Sequence, residues 1–112
     1  MSSSAPAPAV IVLTTLAADA DAISLARALV TERLAACVNV LPAMMSVYRW
    51  KGNVEQEREQ QLVIKTSAEQ LGALQAWLLA NHPYETPELL VLEASGSAAY
   101  LRWVGESTDA RR

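Results

Sequence analysis

The stretch "AACVNVLPAMMSVYRWKGNVEQEREQQLVIKT", residues 35–66, limits the possible folds more than any other part of the chain. Two strand-like runs meet at the turn-forming Lys51-Gly52-Asn53 and read as one long β-hairpin. Its first arm is interrupted at Pro42, which has no N–H to give to a ladder and marks a bulge or an edge. The second arm has two halves: a charged stretch too polar to be core on either face, then an apolar run ending at Lys65. The base of the hairpin therefore belongs inside a sheet. Its charged tip projects into water or against another subunit.

The flanking segments supply the rest of a sandwich. "AVIVLTTL" is a continuous β-branched run, the pattern of a central strand buried on both faces. After Asp19 and Asp21, candidate N-caps, "DAISLARALVTERL" repeats apolar residues at Ile23, Ala26, Val30 and Leu34. Leu25 and Leu29 widen that stripe, which predicts an amphipathic helix. Ser67 with Gln70 forms a capping box ahead of a second helix, whose inward face is Leu71, Leu74 and Leu78. That helix stops at "NHP", where Asn81 suits a left-handed C-cap and Pro83 cannot continue it. "ELLVLEA" is a further strand, and Ser97 opens a short last helix carrying Tyr100, Leu101, Trp103 and Val104.

Strand, helix, strand, strand, helix, strand, helix is the order of a ferredoxin-like βαββαβ sandwich of the α+β class with a short C-terminal helix. Both main helices lie on one face of its sheet. The domain is expected over residues 9–107, after a disordered arm of residues 1–8 and before a tail of residues 108–112. The other sheet face needs a cover, since Val38, Val40, Leu90 and Leu92 are too apolar to face water together. Oligomerisation is the simpler way to supply it.

Composition narrows the function. The chain has 112 residues, 52% of them hydrophobic and 19% charged, enough for a core without covalent staples. The single Cys37 can form no intramolecular disulfide, so nothing points to an oxidising compartment. A net charge of -3 with scattered basic residues argues against a nucleic-acid partner. The opening "MSSSAPAPAV" has neither the basic nor the apolar region of a secretory signal. No apolar run reaches the ~20 residues needed to cross a bilayer, so no membrane role and a cytoplasmic location are expected.

His82, the only histidine, is read in two ways. It is a cap whose ring bonds a nearby carbonyl, or an imidazole in a pocket with Glu85 and, from the hairpin, Tyr48 or Trp50. Glu59 and Lys65 stand six apart on one strand and so share a face, where each, partly buried, needs the other or a bound anion. Tyr48 and Trp50 also share a face. Cys37 reads as a small buried hydrophobe and the Met44–Met45 pair as gap filling.

"ERLAACVNVLP", "SVYRWKGNVEQERE", "LVIKTS", "NHPYETPELLVL" and "YLRWV", in this order and spacing, closely resemble the CutA or divalent-cation tolerance proteins over roughly residues 9–106. The resemblance implies a ferredoxin-like homotrimer built by edge-to-edge pairing of long hairpin strands, similar in architecture to the PII signalling proteins. It implies a cytoplasmic protein linked to copper and other divalent cations, with no secure enzymatic reaction and no organic cofactor. The site it suggests is a subunit cleft lined by Tyr48, Trp50, Glu59, Lys65, Tyr84 and Trp103, with His82 and Glu85 holding a metal weakly. Copper-binding members carry a cysteine in the first strand and a second histidine before "HPY", where this chain has Thr14 and Asn81. Their hydroxyl and amide oxygens are poor copper ligands.

The leading reading is thus a non-enzymatic trimer binding a metal ion or small ligand between subunits. An enzyme using His82 or Glu59 as acid or base is the alternative, weakened by the lack of any nucleophile beside a base. A purely structural trimeric scaffold is the third.

Overall fold

The computed structural model describes residues 8–111; the expected N-terminal arm therefore lies, apart from Pro8, outside the described residues. The elements are β1 (Ala9–Ala17), α1 (Ala22–Thr31), β2 (Cys37–Val40), β3 (Met44–Trp50), β4 (Asn53–Ser67), α2 (Leu71–Asn81), β5 (Leu90–Ala94) and α3 (Ala98–Ser107). The antiparallel sheet has the order β2-β4-β1-β5, with β3 also paired to β4. This is the ferredoxin-like arrangement, its second strand split in two. The split falls at Pro42: Leu41, Pro42 and Ala43 face only Gln60 and Gln61, so the ladder resumes one residue out of step.

Lys51 and Gly52 both have positive φ, 49° and 85°, as a two-residue type I′ hairpin turn requires. The 15 residues of β4 run from this tip to the far end of the sheet. The projecting hairpin draws the molecule out to 56 × 23 × 23 Å, with a radius of gyration of 15.4 Å. A compact chain near this length has about 13 Å.

Val12, Leu16, Leu62 and Ile64 of the sheet pack against Leu29 of α1 and Leu74 and Leu78 of α2. Both crossovers thus place their helices on one face. Asp21 caps α1, accepting from the Ser24 N–H at 3.0 Å. The buried line of α1 is Ala22 and Leu29 with Leu25 beside them, while Ile23 and Val30 point outward, a phase different from the expected stripe. Ser67 Oγ accepts from the Gln70 N–H, but the Gln70 side chain bonds the Arg33 carbonyl at 3.0 Å instead of returning to Ser67, so the capping box is one-sided. Asn81 does not become a left-handed cap: it stays helical, and α2 ends because His82, preceding Pro83, is extended at φ -80° and ψ 135°.

The helix-free face is only partly covered. Val104 and Leu101 of α3 pack on Ala9 and Ala36 at one end. Leu90 and Leu92 beyond them are 56% and 51% exposed. Val38 and Val40, expected on this face, instead pair opposite Ile64 and Leu62 and flank the helix-side core. Cys37 lies on the open face, half-buried rather than buried. Among the described residues no helix is long and apolar enough to cross a membrane.

Candidate functional site

The helix-free face continues onto the hairpin. Residues opposite one another in an antiparallel pair share a face, so Met44, Ser46, Tyr48 and Trp50 of β3 stand beside Glu59, Glu57, Glu55 and Asn53 of β4. The loop after α2 faces this surface. Between them lies a cleft of about 700 Å³, with Tyr48, Trp50, Glu57 and Glu59 on the hairpin side and Tyr84, Glu85 and Glu88 on the loop side. Among the described residues no lysine, arginine or histidine lines it, Lys51 standing only at its rim.

The loop is held by a relay that begins at His82. Its Nδ1 accepts from the Tyr84 N–H at 3.1 Å, which fixes the tautomer so that Nε2–H donates to the Thr15 carbonyl at 2.9 Å. The two rings lie 4.9 Å apart at 59°. Tyr84 in turn donates its hydroxyl to Glu59 Oε2 at 2.8 Å. Glu59, although only 7% exposed, thus has a partner. At the other end of the loop Gln61 Nε2 donates to Glu88 Oε2 at 2.6 Å and to the Thr14 carbonyl at 3.2 Å.

The tyrosines register the negative character of the cleft. Burial, then the hydrogen bond to Glu59, pushes the Tyr84 phenol well above the usual 10.0. Hydrogen bonding with Glu57 is the main cause that pushes Tyr48 up to about 12. The fold therefore favours both phenols in the neutral form. That preference is fully present below pH 10 and is lost as pH climbs through the folded-state values. An alkaline difference spectrum is expected to show these two tyrosines ionising after pH 10, with Glu59→Gln shifting the Tyr84 step back down.

Four of the eight site residues expected from sequence meet at one place: Tyr48, Trp50, Glu59 and Tyr84. Glu85 joins them at the rim, where Lys51 Nζ approaches it to 3.8 Å. Lys65 and Trp103 lie at the opposite end. Lys65 shares the face of Glu59 but stands six residues, about 20 Å, along the strand. Lys65 Nζ instead lies 6.0 Å from the Tyr100 ring centroid, and the Trp103 ring lies tilted at 40° to that of Tyr100, 5.5 Å between centroids. The mutual Glu59–Lys65 support that the sequence allows does not form within one chain.

His82 does not line the cleft, and both its nitrogens are engaged by the backbone. It offers no free lone pair toward Glu85. Among the described residues no three His, Cys, Asp or Glu side chains stand together as a metal cage. The cleft's donors are carboxylates, the hydroxyls of its tyrosines, Ser46, Thr15 and Thr86, and the Met44 thioether, a set that suits hard cations better than copper. Thr14 lies on the helix side, 1% exposed, with its hydroxyl unpartnered, and takes no part in the cleft. Replacing His82 by alanine strands the Thr15 carbonyl and the Tyr84 N–H. A loss of about 2 kcal/mol in unfolding free energy is expected by denaturant titration.

Glu57, expected from the sequence only as a solvated strand residue, and Gln61 and Glu88, not expected there at all, also belong to this site. For Glu57 a signal existed, since it alternates with Glu59 on one strand face. The Gln61–Glu88 bond joins groups 27 residues apart and leaves no local trace.

The profile of the CutA1 divalent ion tolerance protein family matches residues 10–107. The chain belongs to this family. The divalent-cation tolerance protein CutA of Pectobacterium atrosepticum is 47% identical over 100 residues, covering 88% of this chain and 91% of the relative. That of Thermus thermophilus is 42% identical over 99 residues, covering 88% and 96%. Among solved structures, CutA1 from Oryza sativa superposes with a TM-score of 0.87 at 38% identity, covering 96% of this chain and 98% of that one. The PII-like protein CutA from Nostoc sp. PCC 7120, in apo form, gives 0.84 at 35% identity, covering 90% and 98%. The ferredoxin-like fold read from sequence is thus that of CutA1 and PII-like proteins.

Proposed function

We propose that the chain works as a cytoplasmic, non-enzymatic homotrimer that holds a divalent cation such as copper weakly in the acid-lined cleft, as part of a response to metal ions. The observation that carries this reading is the lining itself: it holds Glu57, Glu59, Glu85 and Glu88 and, among the described residues, no basic side chain. Family membership favours a divalent ion as the ligand. Exposed Leu90 and Leu92, and Val47 at 65% exposure on the hairpin, support a trimer that buries them.

The enzymatic alternative is disfavoured by His82, whose two nitrogens are committed to backbone partners and cannot serve a substrate proton. His82 on this reading positions the loop, and the carboxylates hold the ion. Calorimetric titration with copper(II) is expected to give weak binding that Glu59→Gln weakens about tenfold, while His82→Ala, if folded, changes it less. Copper affinity abolished in His82→Ala and untouched in Glu59→Gln would return the metal to the histidine.

A further inference from the structure

Carboxylates alone make a sink for any cation, but this cleft interleaves them with the rings of Tyr48, Trp50 and Tyr84. Ring faces attract organic ammonium groups, which shed water readily. A small divalent ion uses only the oxygens and gives up tightly held waters reluctantly. Among the described residues no three ligating side chains converge to replace those waters.

The chain itself displays how an ammonium is received here. Lys51 Nζ sits 5.4 Å from the Trp50 ring centroid and 3.8 Å from Glu85 Oε1. The side chains of that ion pair are 66% and 72% exposed, so the contact is weak and exchangeable. An incoming ammonium can take the same seat. Farther in, Glu57 and Glu59 share one strand face about 7 Å apart, two carboxylates within reach of a single ammonium.

We infer that the cleft receives a linear aliphatic polyammonium ligand, one ammonium between Trp50 and Glu85 in place of Lys51 and another against Glu57 and Glu59. This rests on the reading of the cleft as a cation receptor and names the ligand class. The anionic groups stay on the protein, and no covalent step is involved. Lys51 then acts as a built-in competitor, which gives the inference a signature that general acidity lacks.

Calorimetry with spermidine as the probe, on the intact protein at neutral pH and low salt, tests it. Saturable binding is expected, weakened about tenfold by Trp50→Ala and by Glu59→Gln, and tightened by Lys51→Asn, a residue that tolerates the positive φ of the turn. Butanediol, which lacks the charges, is expected not to bind. Circular dichroism checks each variant, and Lys51→Asn carries the test if Trp50→Ala does not fold. No spermidine binding, or binding indifferent to both Trp50→Ala and Lys51→Asn, overturns the inference. Copper(II) titrated in parallel separates the two levels: copper without spermidine sinks only the ligand class, and neither binding sinks the cation receptor with it.

Discussion

Leu62→Ala is expected to lower the unfolding free energy by about 3 kcal/mol, well beyond what truncating a surface side chain costs. Leu62 is fully buried at the middle of β4, opposite Thr14 of β1 and Val40 of β2, and belongs to the cluster that joins the sheet to both helices. Neighbours on three elements cannot all collapse into the space it leaves, so the lost transfer energy is joined by a cavity cost. Denaturant unfolding at one fixed protein concentration measures it, since subunit association shifts apparent stability. The same truncation at exposed Leu79 is expected to cost little.

The second large effect is on assembly. Val47→Glu and Leu92→Glu each place a charge on an apolar surface left open by one chain, at the hairpin and on the helix-free sheet face. If these surfaces are buried between subunits, desolvating that charge costs several kcal/mol per contact and the symmetry of a trimer repeats the cost three times. Sedimentation equilibrium is expected to find the parent as a trimer and both variants largely as monomers at micromolar concentration. Variants that sediment like the parent would remove these surfaces from the interface.

Much of the fold could be read from the chain because each signal was local. Pro42 lacks a donor and breaks the strand where the bulge appears, and Lys51-Gly52 forms the turn that a hairpin of this twist requires. The phase of α1 was not legible, because alanine contributes so little to an apolar stripe that Ile23 and Val30 outweighed Ala22. The end of α2 was placed correctly and half of its reason holds: Pro83 stops the helix by keeping His82 extended, whereas Asn81 stays helical instead of turning left-handed.

The site was legible residue by residue and not as an arrangement. Even spacing put Glu59 and Lys65 on the same face, yet the strand between them keeps them at opposite ends. His82 was read either as a cap or as part of a pocket. The structure has it closing α2 and reaching the Thr15 carbonyl, 67 residues earlier in the chain, a partner no local pattern reveals. That bond orients Tyr84 toward Glu59, so the histidine contributes to the cleft without lining it.

Anomalous diffraction from crystals soaked in copper(II) decides where the cation sits, because it locates the ion as well as detecting it. The expected result is a single partly occupied peak in the acid-lined cleft, within bonding distance of Glu57, Glu59 or Glu85 and away from the His82 ring. A peak on a His82 nitrogen with the Thr15 and Tyr84 hydrogen bonds broken, or at Cys37 with the cleft empty, would rule out the carboxylates as the metal's seat.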